Sequence, residues 1–260
     1  MHTSRHRHLT LSAALLCAAL LPLCGAHAAE SWWNKEWSAR KPFTIDASAQ
    51  GGAITEPIGT AVVLVRLHQG NFNFMAAKDD GGDIRFVAAD DKTPLPFQIE
   101  KYDSLMNEAF VWVQVPDVKP GEATKFYLYH GNAEGSGELP DAKTTYDAET
   151  LLVYHFAEKG AAPSDATKNG NAAETAGSPS EGSMIGTGLR LLGQGAITIP
   201  ASESQNLAAN DPFTFSAWIK NTALRPNAAL FTRKEGSNSL VIGVDAVSYT
   251  HLTLPTICSV

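Results

Sequence analysis

The side chains that could do chemistry are few and scattered. Glu100 and Asp103 close a strand-like segment, and two carboxylates across one bond are what glycoside hydrolysis requires. Nothing near them in the chain completes such a site, so they read as surface acids at a strand end. Asp79, Asp80 and Asp83 could offer oxygens to calcium, but the alternating ligands and closing Glu of an EF-hand loop are missing. The Gly81-Gly82 pair makes that loop a turn into a strand. His68 ends an apolar run with no partner at metal-ligand spacing, and reads as a surface histidine. Trp32, Trp33 and Trp37 could stack on sugar rings; standing ahead of the first strand, they are expected to plug the end of a sandwich instead. The residues therefore assign no catalytic, cofactor-binding or metal-ligating role, and the expectation is a binding or structural module, not an enzyme.

The elements that would position any site are strands. Ile84, Phe86 and Ala88 alternate with Arg85 and Val87, and Leu95, Phe97 and Ile99 alternate with Pro96, Gln98 and Glu100. Period-two patterning marks strands with one buried face. Asp90-Asp91-Lys92-Thr93-Pro94 between them carries turn chemistry, so a β-hairpin is expected across Asp83–Asp103. Ala61–Leu67 and Ala109–Val115 are apolar on both faces and read as central strands. Phe43 and Ile45 start the domain, Pro116–Gly121 is a turn, and Lys125–His130 closes it. Residues 133–150, rich in Ala, Gly, Asp and Thr, suit a linker. A second β pattern follows at Leu151–Phe156, Gly188–Leu192, Ala196–Pro200, Pro212–Ile219, Ala228–Arg233 and Ser239–Val244, with a long polar loop over Ala161–Ser183.

Both ends read differently. Arg5 and Arg7 precede an apolar run from Leu9 to Leu23, and Ala26-His27-Ala28 is an Ala-x-Ala cleavage site. Residues 1–28 are thus expected to be a signal peptide for export. Cys17 and Cys24 leave with it, and the remaining Cys258 falls in the last stretch, so stability is expected from packing rather than disulfides. Val247–Thr256 resembles the translation of a transposon-type sequencing adapter, which makes residues 247–260 assembly read-through and the sequence a fragment. The formal charge of −7 leaves no basic footprint for nucleic acid. No stretch beyond the signal is long and apolar enough to span a membrane.

Two resemblances sharpen this. Trp33–Trp37, Gly82–Phe86, Trp112–Pro116 and Tyr127–Asn132 resemble an uncharacterised β domain, a family of unknown function. Val153–Phe156, Asp165–Gly170, Gly188–Leu192, Ile197–Pro200 and Phe213–Ile219 resemble the opening half of a laminin-G or concanavalin A-like jelly roll. Asp165 and Asn169 could contribute to a calcium site as in some laminin-G domains, but an Asx-rich turn is the role expected of them. Behind a signal peptide the pair is similar to the exported N-terminal region of MotA/TolQ/ExbB-type proton-channel proteins, carried also by Val65–Phe74 and Phe86–Pro94. The expected organisation is all-β: signal at 1–28, an uncharacterised β-sandwich at 29–135, a linker at 136–150 and a truncated laminin-G/concanavalin-like domain at 151–246. The resemblance implies a periplasmic region of an inner-membrane parent, ExbD/TolR-like membrane subunits as that parent's partners, and a glycan or protein ligand. The alternative is a secreted carbohydrate-binding or adhesive protein without a channel.

Overall fold

The computed structural model describes residues 32–132, 134, 139–180, 182–193, 195–207, 211–220, 228–236, 238–244 and 258–259. The expected signal peptide lies outside them, as do residues 247–257 and 260 of the adapter-like stretch. The architecture is all-β, as expected. Strands β1 (Ala39–Asp46), β2 (Gly59–His68), β3 (Arg85–Ala88), β4 (Phe97–Asp103), β5 (Glu108–Val118) and β6 (Ala123–His130) build two antiparallel three-stranded sheets, ordered β1-β6-β3 and β2-β5-β4.

The two sheets face each other across one core. Period-two alternation sends Val65 and Leu67 of β2, Phe86 of β3, Val111 and Val113 of β5 and Leu128 of β6 into it, all at most 5% exposed. Phe86 of β3 meets Phe97 of β4 edge-on across the layer, while Phe43 stacks at 5.6 Å on Phe126, its cross-strand partner within one sheet.

The expected hairpin is corrected. β3 pairs with β6 and β4 with β5, so the two strands enter opposite sheets. A start of pairing survives next to the turn: Leu95 N–H donates to the Phe86 carbonyl at 2.8 Å, and Val87 bridges Pro94. Pro94 and Pro96 lack the N–H groups a ladder needs, and the Pro96 carbonyl accepts from Gln114 of β5 instead. The oily faces of both strands then meet across the core rather than side by side. β2 is corrected too: among the described residues it is an edge strand, and only β5 is central in its sheet. Two-faced apolar patterning reports burial, and Val62 and Leu64 achieve it by lying half-buried beside Gln114 and Trp112.

Further on, β7 (Ser178–Ser180) pairs with β8 (Gly188–Arg190), and β10 (Ala228–Glu235) with β11 (Asn238–Val244). β9 (Thr214–Phe215) pairs with β12 (Cys258–Ser259). Leu151–Phe156, expected as a strand, forms no ladder. Its backbone groups are taken by side chains: Val153 N–H donates to Asp165, and the Leu151 carbonyl accepts from Asn169 and Asn171. Among the described residues, no helix is long and apolar enough to cross a membrane.

Candidate functional site

The acidic side chains singled out by the sequence are used to build the fold. Asp83 ends the acidic loop and is 1% exposed. Its carboxylate accepts from the Lys78, Gly131 and Asn132 backbone N–H groups, at 2.9, 2.8 and 3.2 Å, and ties the loop to the end of β6. Asp80 accepts from Gly82 N–H in an Asx turn, as the turn reading requires. His68 is exposed, and its Nδ1 accepts from Gly70 N–H. Among the described residues no three His, Cys, Asp or Glu side chains gather as a metal site.

The tryptophans cover the outer face of the β1-β6-β3 sheet and not, as expected, its end. Val87, Tyr127 and Tyr129 alternate onto that face and need cover, which Trp33 and Trp37 supply. Trp37 Nε1 donates to the Asp83 carbonyl, and the Trp33 and Trp37 rings lie 4.9 Å apart. Beneath them Asp91, which the sequence reads as a turn residue, is buried and pairs with both Arg40 and the Tyr129 hydroxyl. Burial, then the bond to Asp91, raises the Tyr129 pKa. The Arg40 guanidinium lies 4.5 Å from the Tyr127 ring and 5.2 Å from the Trp32 ring, a cation–π stack on the surface. Trp32, 38% exposed, is the ring of the three left open to solvent.

Glu100 and Asp103 do not share a site. Asp103 accepts from Met106 N–H in the β4–β5 turn. Glu100 sits at a β-bulge of β4 on the outer face of the other sheet. Trp112 Nε1 donates to it at 2.6 Å, and His155 Nδ1 lies 3.1 Å away. The other nitrogen of His155 lies 3.1 Å from the Tyr146 hydroxyl and 3.0 Å from Gln98 Oε1. Tyr–His–Glu in line resembles a relay, but the group is closed: Glu100 and His155 side chains are 4% and 12% exposed, and Tyr146 is buried. Burial first, then the Glu100 charge, pushes the Tyr146 pKa up. A Cβ at Gly186 would come within 2.5 Å of Glu100 Oε1, so glycine lets the chain lie over the carboxylate. The network docks residues 142–156 on the sheet, with Gln114 donating to the Thr145 carbonyl as well. Part of the linker-like stretch is therefore packed.

Asp165 takes the Asx-turn role that the sequence offers beside calcium. Its two oxygens accept from the N–H groups of Val153, Thr167 and Asn171 and from the Thr167 hydroxyl, all within 3.0 Å. That leaves the carboxylate spent on its own loop.

What stays open is a cleft of about 480 Å³ beside β1, lined by the loop after β2, by Asn107 in the β4–β5 turn and by His130. The loop is rigidly made: Asn71 accepts from His68 N–H and donates to the Arg66 carbonyl, while Asn73 caps a 3-10 turn at Phe74–Ala76. Phe72 stands edge-on to His130 at 4.7 Å and forms the floor with Phe74. Neither Asp nor Glu lines this cleft. A second opening of about 350 Å³, by the β5–β6 turn, mixes Asp90 and Asp117 with Lys125. The first cleft had no signature in the sequence beyond the Asn71-Phe72-Asn73-Phe74 run, because two separate loops, strand β1 and the end of β6 make it together.

No curated protein and no solved structure matches the chain. The family described as a domain of unknown function (DUF2341) matches residues 80–169, which run from the acidic loop through β3–β6 and the docked His155 segment to the Asp165 turn.

Proposed function

We propose that the chain is an exported, non-catalytic binding module facing the periplasm, and that it belongs to an ExbB-like proton-channel protein of biopolymer transport. The observation that carries the binding half is the fate of the acids. Asp83, Asp91, Glu100 and Asp165 are all engaged by donors of the fold itself, while an open polar cleft stands at the edge of the sandwich. Acid–base chemistry needs carboxylates that can reach a substrate, and these are sealed. The channel half is supported by the resemblance of the signal-like start, the β domain and the jelly-roll-like strands to the exported region of such proteins. In that parent the second region is the opening of a laminin-G/concanavalin-like domain, the membrane partners are ExbD/TolR-like subunits, and ligand capture near the channel couples the proton gradient to transport.

The test reads the locus past the codon for Ala246 with adapter-free long reads. A frame that continues through a jelly roll into hydrophobic spans supports the channel parent. A frame that stops after the jelly roll removes it. The rival, a secreted carbohydrate-binding protein, is favoured by one observation, the exposed Trp32 ring beside the Arg40 stack.

A further inference from the structure

We infer that the cleft beside β1 binds an acidic saccharide, a sugar carboxylate flanked by hydroxyls, with Lys41 as the carboxylate partner and the Asn107 and Gln69 amides reading hydroxyls. This deepens the binding-module reading and rests on it.

No ion pair or side-chain hydrogen bond engages Lys41, Gln69 or the Asn107 amide among the described residues. All three line the same cleft, whereas Asn71 beside them is consumed by its own loop. His130 lines it too; it is 7% exposed, and its Nδ1 makes no hydrogen bond although sealed from solvent. The ring therefore contributes to the wall of the cleft and not to hydrogen bonding with a ligand.

Charge then selects the ligand. The chain is acidic overall at −7, yet this lining carries Lys41 and Arg40 and no carboxylate. Arg40 is already neutralised by Asp91, so Lys41 supplies the unmatched charge. Screening over roughly 8 Å at physiological salt lets that local cation act despite the distant acids. A lone ammonium favours an anion; amides with both donors and acceptors favour hydroxyls; the Phe72 and Phe74 floor suits the apolar face of a sugar ring. A volume of 480 Å³ admits more than one ring.

The test is calorimetric titration of the full chain with trigalacturonate, galactotriose and inorganic phosphate, with Lys41→Met and Asn107→Gly variants alongside. Asn107 has φ of +52°, a conformation glycine adopts without strain, so that variant keeps the fold while losing the amide. Trigalacturonate is expected to bind, to weaken with added salt, and to lose about tenfold in affinity in Lys41→Met, the worth of one charge-assisted hydrogen bond. Asn107→Gly is expected to lose several-fold, with melting temperatures unchanged. Equal binding of galactotriose would overturn the charge assignment, and equal competition by phosphate would overturn the saccharide. Undiminished binding in both variants, or no binding at all, would overturn the site. These failures differ from failure of the channel parent, which the reading frame beyond Ala246 decides on its own.

Discussion

Two regions of this chain carry the same period-two strand patterns and reach different degrees of burial. From Trp37 to Tyr146 the pattern resolves into two three-stranded sheets around a common core, and every buried large apolar side chain among the described residues lies within it. From Ser178 to Val244 the described strands occur in two-stranded ribbons, and Met184, Leu191, Leu192, Trp218, Ile219 and Val241 are exposed. Overlapping the end of the first region and running toward the second is a third kind of structure, residues 142–171, with little ladder but many side-chain bonds to backbone. Alternation therefore specifies which face is oily; burial follows only where a second sheet meets that face. Where no ladder forms, Asx-type side chains take over the backbone groups.

The largest expected contrast is between Phe86 and Trp218. Phe86→Ala removes a fully buried ring from the sandwich and is expected to cost about 3–5 kcal/mol in denaturant unfolding. Trp218→Ser, at a ring 57% exposed, is expected to change stability by under about 0.5 kcal/mol. Equal costs would erase the distinction between the regions. Next, Asp83→Ala leaves three backbone N–H groups without their acceptor, and about 2–4 kcal/mol should be lost in the same measurement.

The docked segment gives a smaller and local effect. His155→Ala breaks the contact with Glu100 and is expected to cost about 1–2 kcal/mol, read as faster amide exchange across 142–171 with β5 still protected. Uniform acceleration over the whole sandwich would show instead that the segment is integral to its core. The smallest effect concerns pH. Burial, with Lys41 adding to it, holds the His130 pKa below its ordinary 6.5 against the opposing pull of the Ala76 carbonyl and Asp83. The unfolded chain then binds this proton first, so stability is unaffected above about pH 7 and falls as pH drops through 6.5. His130→Gln should flatten that part of the pH–stability curve; an unchanged slope would place it elsewhere.

Much of the first region was legible because its strands are local patterns. Val65, Leu67, Val111 and Val113 announce their faces within a few residues, and the core uses those faces. The parting of β3 from β4 was not legible, since Val87 and Pro94 do begin to pair and only the third dimension shows each strand choosing another neighbour. Glu100 reads in the sequence as a surface acid and is buried in the structure, because its partners Trp112, His155 and the overlying Gly186 come from distant segments. The same holds for the tryptophans: their place ahead of the first strand suggests plugs for the end of the sandwich, whereas Val87, Tyr127 and Tyr129 from later strands set the outer face they cover. Lys41, Gln69 and Asn107 carry no shared pattern, since a cleft assembled from one strand and two loops far apart in the chain leaves no spacing to read.

Binding is assigned to the packed first region, through the cleft beside β1. Amide hydrogen exchange of the full chain with and without trigalacturonate tests it most directly. Slowed exchange is expected at 69–76, at 105–108 and along the first half of β1, with 188–219 unchanged. Slowing confined to 188–219, or absent everywhere while calorimetry reports binding, would contradict it.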